Sequence, residues 1–214
     1  MTARTGVFLV FEGGDGVGKT TQVERLCAGL AAAGHEVVRT FEPGDTPLGA
    51  SIRQIVLDPA TGDLAPRAEA LLYAADKAQH LHSVVLPALA RGAVVVCDRF
   101  VDSLLAYQGA GRALAMAELE QVARWATDSL RPDLTVLLDV EPHRAVNELV
   151  DKDRLEAAGD SFHRRAQRSF LELAERDPER YLVLDARLSR DQIAERVAAR
   201  VRPILSAASG TLGA

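Results

Sequence analysis

The sequence predicts an α/β fold in three layers, with a doubly wound parallel five-stranded sheet flanked by helices. Short apolar runs alternate with longer helical patterns along the chain. These runs are mostly unbroken, which is typical of parallel strands covered on both faces. A glycine-rich loop joins the first strand to the first helix. No repeat or linker interrupts the alternation, so we expect a single domain over residues 1–205 and a flexible tail over 206–214.

The individual elements follow from these patterns. The predicted strands, in chain order, cover residues 6–12, 36–41, 93–98, 134–140 and 181–186. The predicted helices cover residues 19–33, 48–57, 66–90, 116–128, 159–176 and 190–205. Gly34 and Gly92 are placed to end the first and third helices, and Ser189 is placed to cap the last. Tyr107 and Gln108, ahead of "GAGR", indicate only a helix end and a turn.

Composition narrows the class of protein. The chain has 214 residues, 48% of them hydrophobic, and a net charge of −5. A general nucleic-acid binder is usually basic, so this charge disfavours one. No stretch approaches the roughly 20 apolar residues of a membrane span, and nothing resembles a signal peptide. We therefore expect a cytoplasmic protein that binds neither nucleic acid nor membrane. The spacing of Cys27 and Cys97 suggests no metal site.

The loop "GGDGVGKT" fits the phosphate-binding pattern G-x-x-x-x-G-K-[ST] in full, and it has the required strand before it and helix after it. Its glycines let backbone N–H groups face an anion, and the helix N-terminus adds partial positive charge. Lys19 can reach the outer phosphates of a nucleotide, and the Thr20 hydroxyl can bind Mg²⁺. The loop predicts a P-loop NTPase fold. The predicted ATP-binding residues are Gly13, Gly14, Asp15, Gly16, Val17, Gly18, Lys19, Thr20 and Thr21.

Asp98 and Arg99 follow the third strand directly, in "AVVVCDRF". Ligands of such folds bind beyond the carboxyl ends of the strands. We expect Asp98 to hold Mg²⁺ with Thr20, directly or through water, and Arg99 to direct its guanidinium into the same crevice. The alternative for this pair is an ordinary surface Asp-Arg pair.

A P-loop alone does not specify a reaction. The chain has no guanine-reading "NKxD" segment, which disfavours a GTPase, and little room for the second domain of a motor. Its small size and the arginines near strand ends favour a kinase of nucleotides, which must hold two anionic substrates end to end.

Over nearly its whole length the chain resembles the bacterial thymidylate kinases. The matching segments, in the same order and spacing, are "FEGGDGVGKTTQ", "EPGDTPLG", "EALLYAADKAQH", "CDRFVDSLLAYQGAGR", "PDLTVLLDV" and "DRLE", the last followed by "FHRR" and "FLELA". The resemblance implies a homodimeric enzyme that transfers the γ-phosphoryl group of ATP to dTMP with Mg²⁺, giving dTDP and ADP.

The resemblance also implies roles at the phosphates. Lys19, Asp15, Arg99 and Arg154 are the expected catalytic residues. Asp15 would contact the 3′-hydroxyl of the acceptor sugar, while Arg99 and Arg53 would bind the acceptor phosphate. Arg154 belongs to a lid over about residues 147–156 that closes over ATP. Because neither position 15 nor position 17 of the P-loop is an arginine, Arg154 is expected to carry much of the transition-state charge compensation.

At the other end of the acceptor, Tyr73 would stack on thymine, and Tyr107 would crowd a 2′-hydroxyl. Gln108 and Lys77 would lie at the base edge, and Ser103 completes the set of dTMP-binding residues. Judged from the residues alone, a lone aromatic such as Tyr73 in an apolar helix is more often a core residue.

The chain departs from the family pattern at three positions. Phe41 replaces an arginine, which removes a cation near the anion site. Asp45 replaces a glycine that often has a positive φ, so we expect strain in this turn. Lys77 replaces an arginine and can donate only as a flexible point charge, which predicts weaker discrimination among bases. Two alternatives stay open: a P-loop kinase for another nucleoside or modified nucleotide, and a nucleotide-binding module without turnover.

Overall fold

A five-stranded parallel sheet forms the centre of the protein. The structure is a computed structural model that describes residues 5–140 and 153–210. The strands are β1 (Val7–Gly13), β2 (Val37–Phe41), β3 (Val94–Asp98), β4 (Leu134–Asp139) and β5 (Tyr181–Asp185). They lie in the order β2-β3-β1-β4-β5, and every neighbouring pair is parallel. The predicted fold class is confirmed.

The helices cover both faces of this sheet. They are α1 (Lys19–Ala32), α2 (Pro47–Leu57), α3 (Pro66–His80), α4 (Leu86–Ala90), α5 (Val101–Leu104), α6 (Met116–Ala126), α7 (Asp160–Arg176) and α8 (Arg190–Gly210). A π-helical turn, Leu81–Val85, joins α3 to α4, and another, Leu105–Gly111, continues α5. Short 3₁₀ turns cover Pro59–Thr61, Glu156–Ala158 and Pro178–Arg180.

Alternate side chains of the central strand β1 enter different halves of the core. Leu9 and Phe11 pack with residues of α1 and α8 on one face, whereas Phe8 and Val10 pack with Leu89 on the other. All four β1 side chains are almost fully buried. This two-sided burial explains why the strand is an unbroken apolar run rather than an alternating one.

The strand register positions the two loops that matter for function. Phe11 of β1 lies opposite Asp98 of β3. Because the strands are parallel and adjacent, the loop after β1 and the Asp98–Arg99 pair after β3 leave the sheet at the same edge.

Most predicted helix ends are confirmed, and their caps explain them. Gly34 and Gly92 have φ of 88° and 86°, which suits residues that end helices. Ser189 accepts a hydrogen bond from the backbone N–H of Gln192 at 3.2 Å, and the Gln192 side chain accepts one from the Ser189 N–H at 3.0 Å. This reciprocal pair is a capping box.

Three predictions of local structure were wrong. The segment containing Tyr107 and Gln108 is not a turn, since helical structure runs from Val101 to Gly111. Helix α6 ends at Ala126 rather than 128, because Asp128 and the residue after it have positive φ. Helix α8 continues to Gly210, into the predicted flexible tail, since Leu205 and Ala208 pack on the core.

Within the described ranges, no helix combines the length and the apolar character that crossing a bilayer requires. Cys97 is buried and Cys27 half-buried, and both are free thiols.

Candidate active site

The P-loop forms a compact turn between β1 and α1. Its glycines take backbone angles that other residues rarely adopt, with φ of 133° at Gly13, 72° at Gly16 and 93° at Gly18. A Cβ atom on Gly13 would lie 2.3 Å from the carbonyl oxygen of Leu138 on β4, so no larger residue fits there. The loop geometry thus depends on these glycines.

The Lys19 side chain folds back over the P-loop. Its ammonium donates to the carbonyl oxygens of Gly13 at 3.1 Å and Gly14 at 2.5 Å. Burial, assisted by the nearby Arg99, lowers the pKa of Lys19 to about 8, although Asp15 and other carboxylates oppose the shift. The protonated side chain is a strong donor for a phosphate placed in the loop.

Thr20 and Asp98 meet at the edge of the sheet. The Thr20 hydroxyl donates to the Asp98 carboxylate at 2.8 Å, so the pair predicted to hold Mg²⁺ lies together. Both groups present hard oxygen atoms, which Mg²⁺ prefers. Among the described residues there is no group of three His, Cys, Asp or Glu side chains able to hold a metal. A magnesium held by one carboxylate, one hydroxyl and substrate phosphates needs no such group.

Arg99 and Lys19 line the same crevice. A cavity of about 280 Å³ has both residues in its wall, together with Asp15, Thr20, Asp98 and Arg53. The Arg99 guanidinium forms an ion pair with Asp15 and donates to the Gly13 carbonyl oxygen at 3.0 Å. Arg99 also has a φ of 69°, an uncommon angle for a residue with a side chain, which the surrounding contacts must hold.

A fully buried carboxylate, Glu12, supplies those contacts. It accepts hydrogen bonds from the backbone N–H of Phe100 at 2.8 Å and from the N–H and hydroxyl of Ser103 at 3.1 and 2.6 Å. The Ser103 hydroxyl in turn accepts from Arg99 at 3.0 Å. Burial raises the pKa of Glu12, although Arg99 opposes this shift. Glu12 therefore anchors the start of α5 and, through Ser103, the Arg99 guanidinium.

Asp15 faces the second part of the crevice. Its carboxylate accepts from the Tyr107 hydroxyl at 3.2 Å in addition to its ion pair with Arg99. Burial alone would raise the pKa of Asp15, but Arg99, Lys19 and Tyr107 together lower it below its usual value. Asp15 is thus a carboxylate held in its ionised form between both halves of the site.

A second pocket adjoins this crevice and is lined by all eight residues predicted to bind the acceptor, which are Asp15, Arg53, Tyr73, Lys77, Arg99, Ser103, Tyr107 and Gln108. Tyr73 and Tyr107 belong at the same time to the apolar core cluster beneath the pocket. The Tyr73 hydroxyl is buried and has no hydrogen-bond partner within the described part of the chain. Tyr73 is therefore both a core residue and part of the pocket wall.

Lys77 is not the flexible point charge that we expected. It is 2% exposed, and its ammonium binds the fully buried Glu42 carboxylate at 2.5 Å. The other Glu42 oxygen lies 2.7 Å from Nδ1 of His80. Burial opposes ionisation of Glu42, but Lys77 and His80 lower its pKa below the ordinary value. Glu42 therefore fixes Lys77 in place.

The strain expected at Asp45 is absent. The positive φ in this turn, 123°, belongs to Gly44, and Asp45 is not among the described residues with positive φ. Its carboxylate accepts instead from the Thr40 hydroxyl. Phe41, which replaces a cation, lies with its ring centre 6.0 Å from the Arg53 guanidinium carbon and so makes a cation–π contact with the remaining cation.

Arg154 is not brought to the P-loop. Its guanidinium forms an ion pair with buried Glu69 and donates to the carbonyl oxygen of Val56 at 2.9 Å. Its backbone N–H donates to the carbonyl oxygen of Leu57 at 3.1 Å. Residues 147–152 of the expected lid, with Lys152, lie outside the described residues. The role of Arg154 in the transition state stays a prediction. In this arrangement its guanidinium is bound to Glu69 and does not contact the P-loop.

Sequence reasoning missed three buried carboxylates that hold predicted site residues in place. They are Glu12, Glu42 and Glu69. All three are almost completely excluded from solvent. The one available signal was a charge inside or beside an unbroken apolar run, as in "VFLVFEGG". A carboxylate buried at such a position needs several donors, and those donors come from distant parts of the chain. Their identity therefore cannot be deduced from local sequence.

Comparisons with known proteins agree with one another. The family model described as thymidylate kinase matches residues 11–197. The thymidylate kinase of Cutibacterium acnes is 57% identical over 201 residues, which cover 94% of this chain and 98% of the relative. That of Clavibacter sepedonicus is 53% identical over 207 residues, covering 95% and 98%. The crystal structure of thymidylate kinase from Ehrlichia chaffeensis superposes with a TM-score of 0.74 at 28% identity, covering 92% of this chain and 98% of that one.

We predict that Lys77→Met destabilises the protein in a pH-dependent manner. Removing Lys77 leaves the Glu42 carboxylate buried without its main counter-charge, which costs about 3–5 kcal/mol of unfolding free energy at pH 8. In the wild type the pKa of Glu42 is depressed, so its contribution to stability is present above the carboxylate's ordinary pKa and is lost as the pH falls. The loss caused by Lys77→Met should shrink towards pH 5, because the unpaired Glu42 then takes up a proton. Chemical denaturation at both pH values measures it.

The matched control is the double variant Glu42→Gln with Lys77→Met, which removes both charges and should recover part of the lost stability at pH 8. A loss of the same size at both pH values, or no recovery in the double variant, would contradict the prediction.

We also predict that the affinity for ATP falls about tenfold between pH 7 and pH 9, because a Lys19 with a pKa of about 8 loses its proton over this range. The phosphate groups are already largely ionised there and add little opposing change. Isothermal titration with a non-hydrolysable ATP analogue measures the trend. Lys19→Gln should bind more weakly with a flat pH profile, and a persisting trend in this variant would assign the titration to another group.

Proposed function

The chain belongs to the thymidylate kinase family, and we propose that the crevice between the P-loop and Arg99 is its active site. The protein is a nucleoside monophosphate kinase that transfers the γ-phosphoryl group of ATP to dTMP, giving dTDP and ADP. The assignment of residues rests on one observation. Lys19 and Arg99 line a single cavity rather than separate surfaces.

On the donor side, the P-loop amides and Lys19 hold the triphosphate of ATP. The N-terminus of α1 adds its partial positive charge behind the loop. Lys19 is already placed against the loop by two carbonyl oxygens, so it needs only a small movement to donate to a phosphate. These groups neutralise charge that develops on the leaving ADP.

Thr20 and Asp98 fit a magnesium ion, since their oxygen atoms lie side by side at the mouth of the P-loop. A magnesium ion bound by this pair would neutralise negative charge on the phosphates of ATP. The chain itself contributes the orientation of the carboxylate and hydroxyl that would hold it.

On the acceptor side, Arg99 binds the 5′-phosphate of dTMP, and Arg53 assists from the wall of the same pocket. Arg99 is rigidly held by Asp15, Ser103 and the Gly13 carbonyl group. Two donors in a fixed planar group position the phosphate for in-line attack on ATP. Asp15 also lines the acceptor pocket, and an ionised carboxylate has lone pairs left to accept from a sugar hydroxyl in addition to Arg99 and Tyr107.

The rest of the acceptor pocket suits a deoxyribose and a pyrimidine base. Tyr107 forms the floor beneath the sugar, fixed between Asp15 and the ring of Phe162, whose centre lies 5.9 Å away. Tyr73 supplies an aromatic face for the base, and Gln108 lies at the base edge. A rigid Tyr107 ring leaves little space for a 2′-hydroxyl, which favours deoxyribonucleotides.

We predict that dTMP is the best acceptor in a coupled assay of ADP release with dTMP, dUMP, dCMP and ribo-TMP. In the same assay, Arg99→Met should lower kcat/KM for dTMP about 10²-fold or more, since a phosphate-positioning cation is lost. Arg39→Met is the matched control. It removes a cation from the wall of the same cavity, where Arg39 is half-exposed and pairs with Glu24 at 3.0 Å, so it should change the rate far less.

The panel also separates the remaining alternatives. A higher rate on another monophosphate would point to a different acceptor, and ATP binding without transfer to any of them would indicate a module without turnover. Unchanged kinetics of Arg99→Met towards dTMP would contradict the placement of the acceptor phosphate.

We further propose that the protein is a homodimer formed through α3 and α6. These helices contact each other, and an ion pair between Arg67 and Glu118 joins them at 3.5 Å. Each carries a large apolar side chain in solvent, with Leu71 58% exposed and Trp125 86% exposed. Exposed apolar groups of this size on packed helices are typical of an interface.

Light scattering after gel filtration tests the dimer. The wild type should have twice the 23.0 kDa chain mass, and Leu71→Glu combined with Trp125→Glu should yield a folded monomer, because two charges would be buried without partners. Leu48→Glu, at a comparably exposed position on α2, is the control and should stay dimeric. A dimeric double variant would place the interface elsewhere.

A further inference from the structure

The carboxylate of Glu69, on α3, is fully buried and lies behind Gln108, a residue that lines the acceptor pocket. It accepts a hydrogen bond from Nε2 of Gln108 at 2.9 Å and two from Arg112 at 3.1 and 3.2 Å. It also forms an ion pair with Arg154. The two arginines supply the positive charge that an ionised carboxylate needs when it is removed from water.

This contact determines which way the Gln108 amide points. An ionised carboxylate only accepts hydrogen bonds, so the nitrogen of the amide must face Glu69. The carbonyl oxygen Oε1 of Gln108 must then point away from Glu69. Gln108 lines the acceptor pocket, and no donor among the residues in 5–140 and 153–210 is hydrogen-bonded to its Oε1. The pocket therefore presents an acceptor at this position.

We propose that Glu69 is a specificity-determining positioning residue, which fixes Gln108 as a hydrogen-bond acceptor for the N3–H of the base. Thymine and uracil carry a proton on N3, whereas cytosine has a lone pair there. Cytosine would therefore place two acceptors against each other, and the Glu69 contact prevents the amide from rotating to relieve this. The inference rests on the proposed function, because it assumes that the base lies beside Gln108.

The surroundings leave Gln108 as the main polar side chain that can distinguish bases at the N3 edge. Lys77, the other polar residue expected there, is committed to Glu42 at 2.5 Å and is itself buried. A lysine held in that way cannot rotate freely to favour one base over another. Discrimination at N3 then depends on the orientation of one amide, and hence on the carboxylate behind it.

The test compares dTMP with 5-methyl-dCMP, which has the same size and the same methyl group but the opposite hydrogen-bonding pattern at N3. In Glu69→Gln, the new amide can donate as well as accept, so Gln108 can rotate. The ratio of kcat/KM for dTMP to that for 5-methyl-dCMP should fall about tenfold or more, the factor expected for a buried hydrogen bond that can be re-formed with the wrong base.

Arg112→Gln is the matched control. It removes a cation from Glu69 but leaves the carboxylate and its bond to Gln108, so stability should fall while the ratio is retained. If Glu69→Gln lowers kcat/KM for both acceptors equally, Glu69 is only structural and the proposal is overturned. If Gln108→Met leaves the ratio unchanged, the base does not lie at Gln108, and the placement of the acceptor fails instead.

A measurement on the wild type covers the case in which Glu69→Gln does not fold. In the complex with dTMP labelled with ¹⁵N at N3, the proposal requires an imino proton protected from exchange with solvent, and Gln108→Met should abolish that protection. A freely exchanging imino proton in the wild-type complex would overturn the proposal.

Discussion

Parallel pairing of β1 with β3 brings the two halves of the site together. It places Phe11 opposite Asp98, so that the P-loop and the Asp98–Arg99 pair leave adjacent strands at one edge. A shift in this register would separate the P-loop, proposed to bind the donor phosphates, from Arg99, proposed to bind the acceptor phosphate. The apolar faces of β1 hold the register, because its side chains are packed into the core on both sides of the sheet.

Buried carboxylates fix the positions of individual side chains on that scaffold. Glu12 holds the start of α5 and thereby Arg99, Glu42 holds Lys77, and Glu69 holds Gln108. A buried ionised group is costly unless it is fully hydrogen-bonded, so its partners have little freedom to move. Phosphoryl transfer needs little covalent help from the protein, so the rigid placement of these charges accounts for most of what the chain can contribute.

Local patterns in the chain were enough to predict the fold class, all five strands and the position of the P-loop between β1 and α1. Unbroken apolar runs report burial on both faces, and the glycines of the P-loop report backbone angles that only glycine adopts readily. The family resemblance extended this to the residues of the acceptor pocket. Helical structure around Tyr107 was missed, since the apolar contacts and the Glu12 carboxylate that hold this segment lie far away in the chain.

The interaction partners of the predicted site residues, in contrast, are determined only by the folded chain. Lys77 is paired with Glu42, Gly44 rather than Asp45 carries the positive φ, and Arg154 binds Glu69 away from the P-loop. Both ion pairs join groups that are far apart in the sequence and meet in a space from which water is excluded. Local sequence reports what a residue can do, but the partners that remain within reach after folding determine what it does.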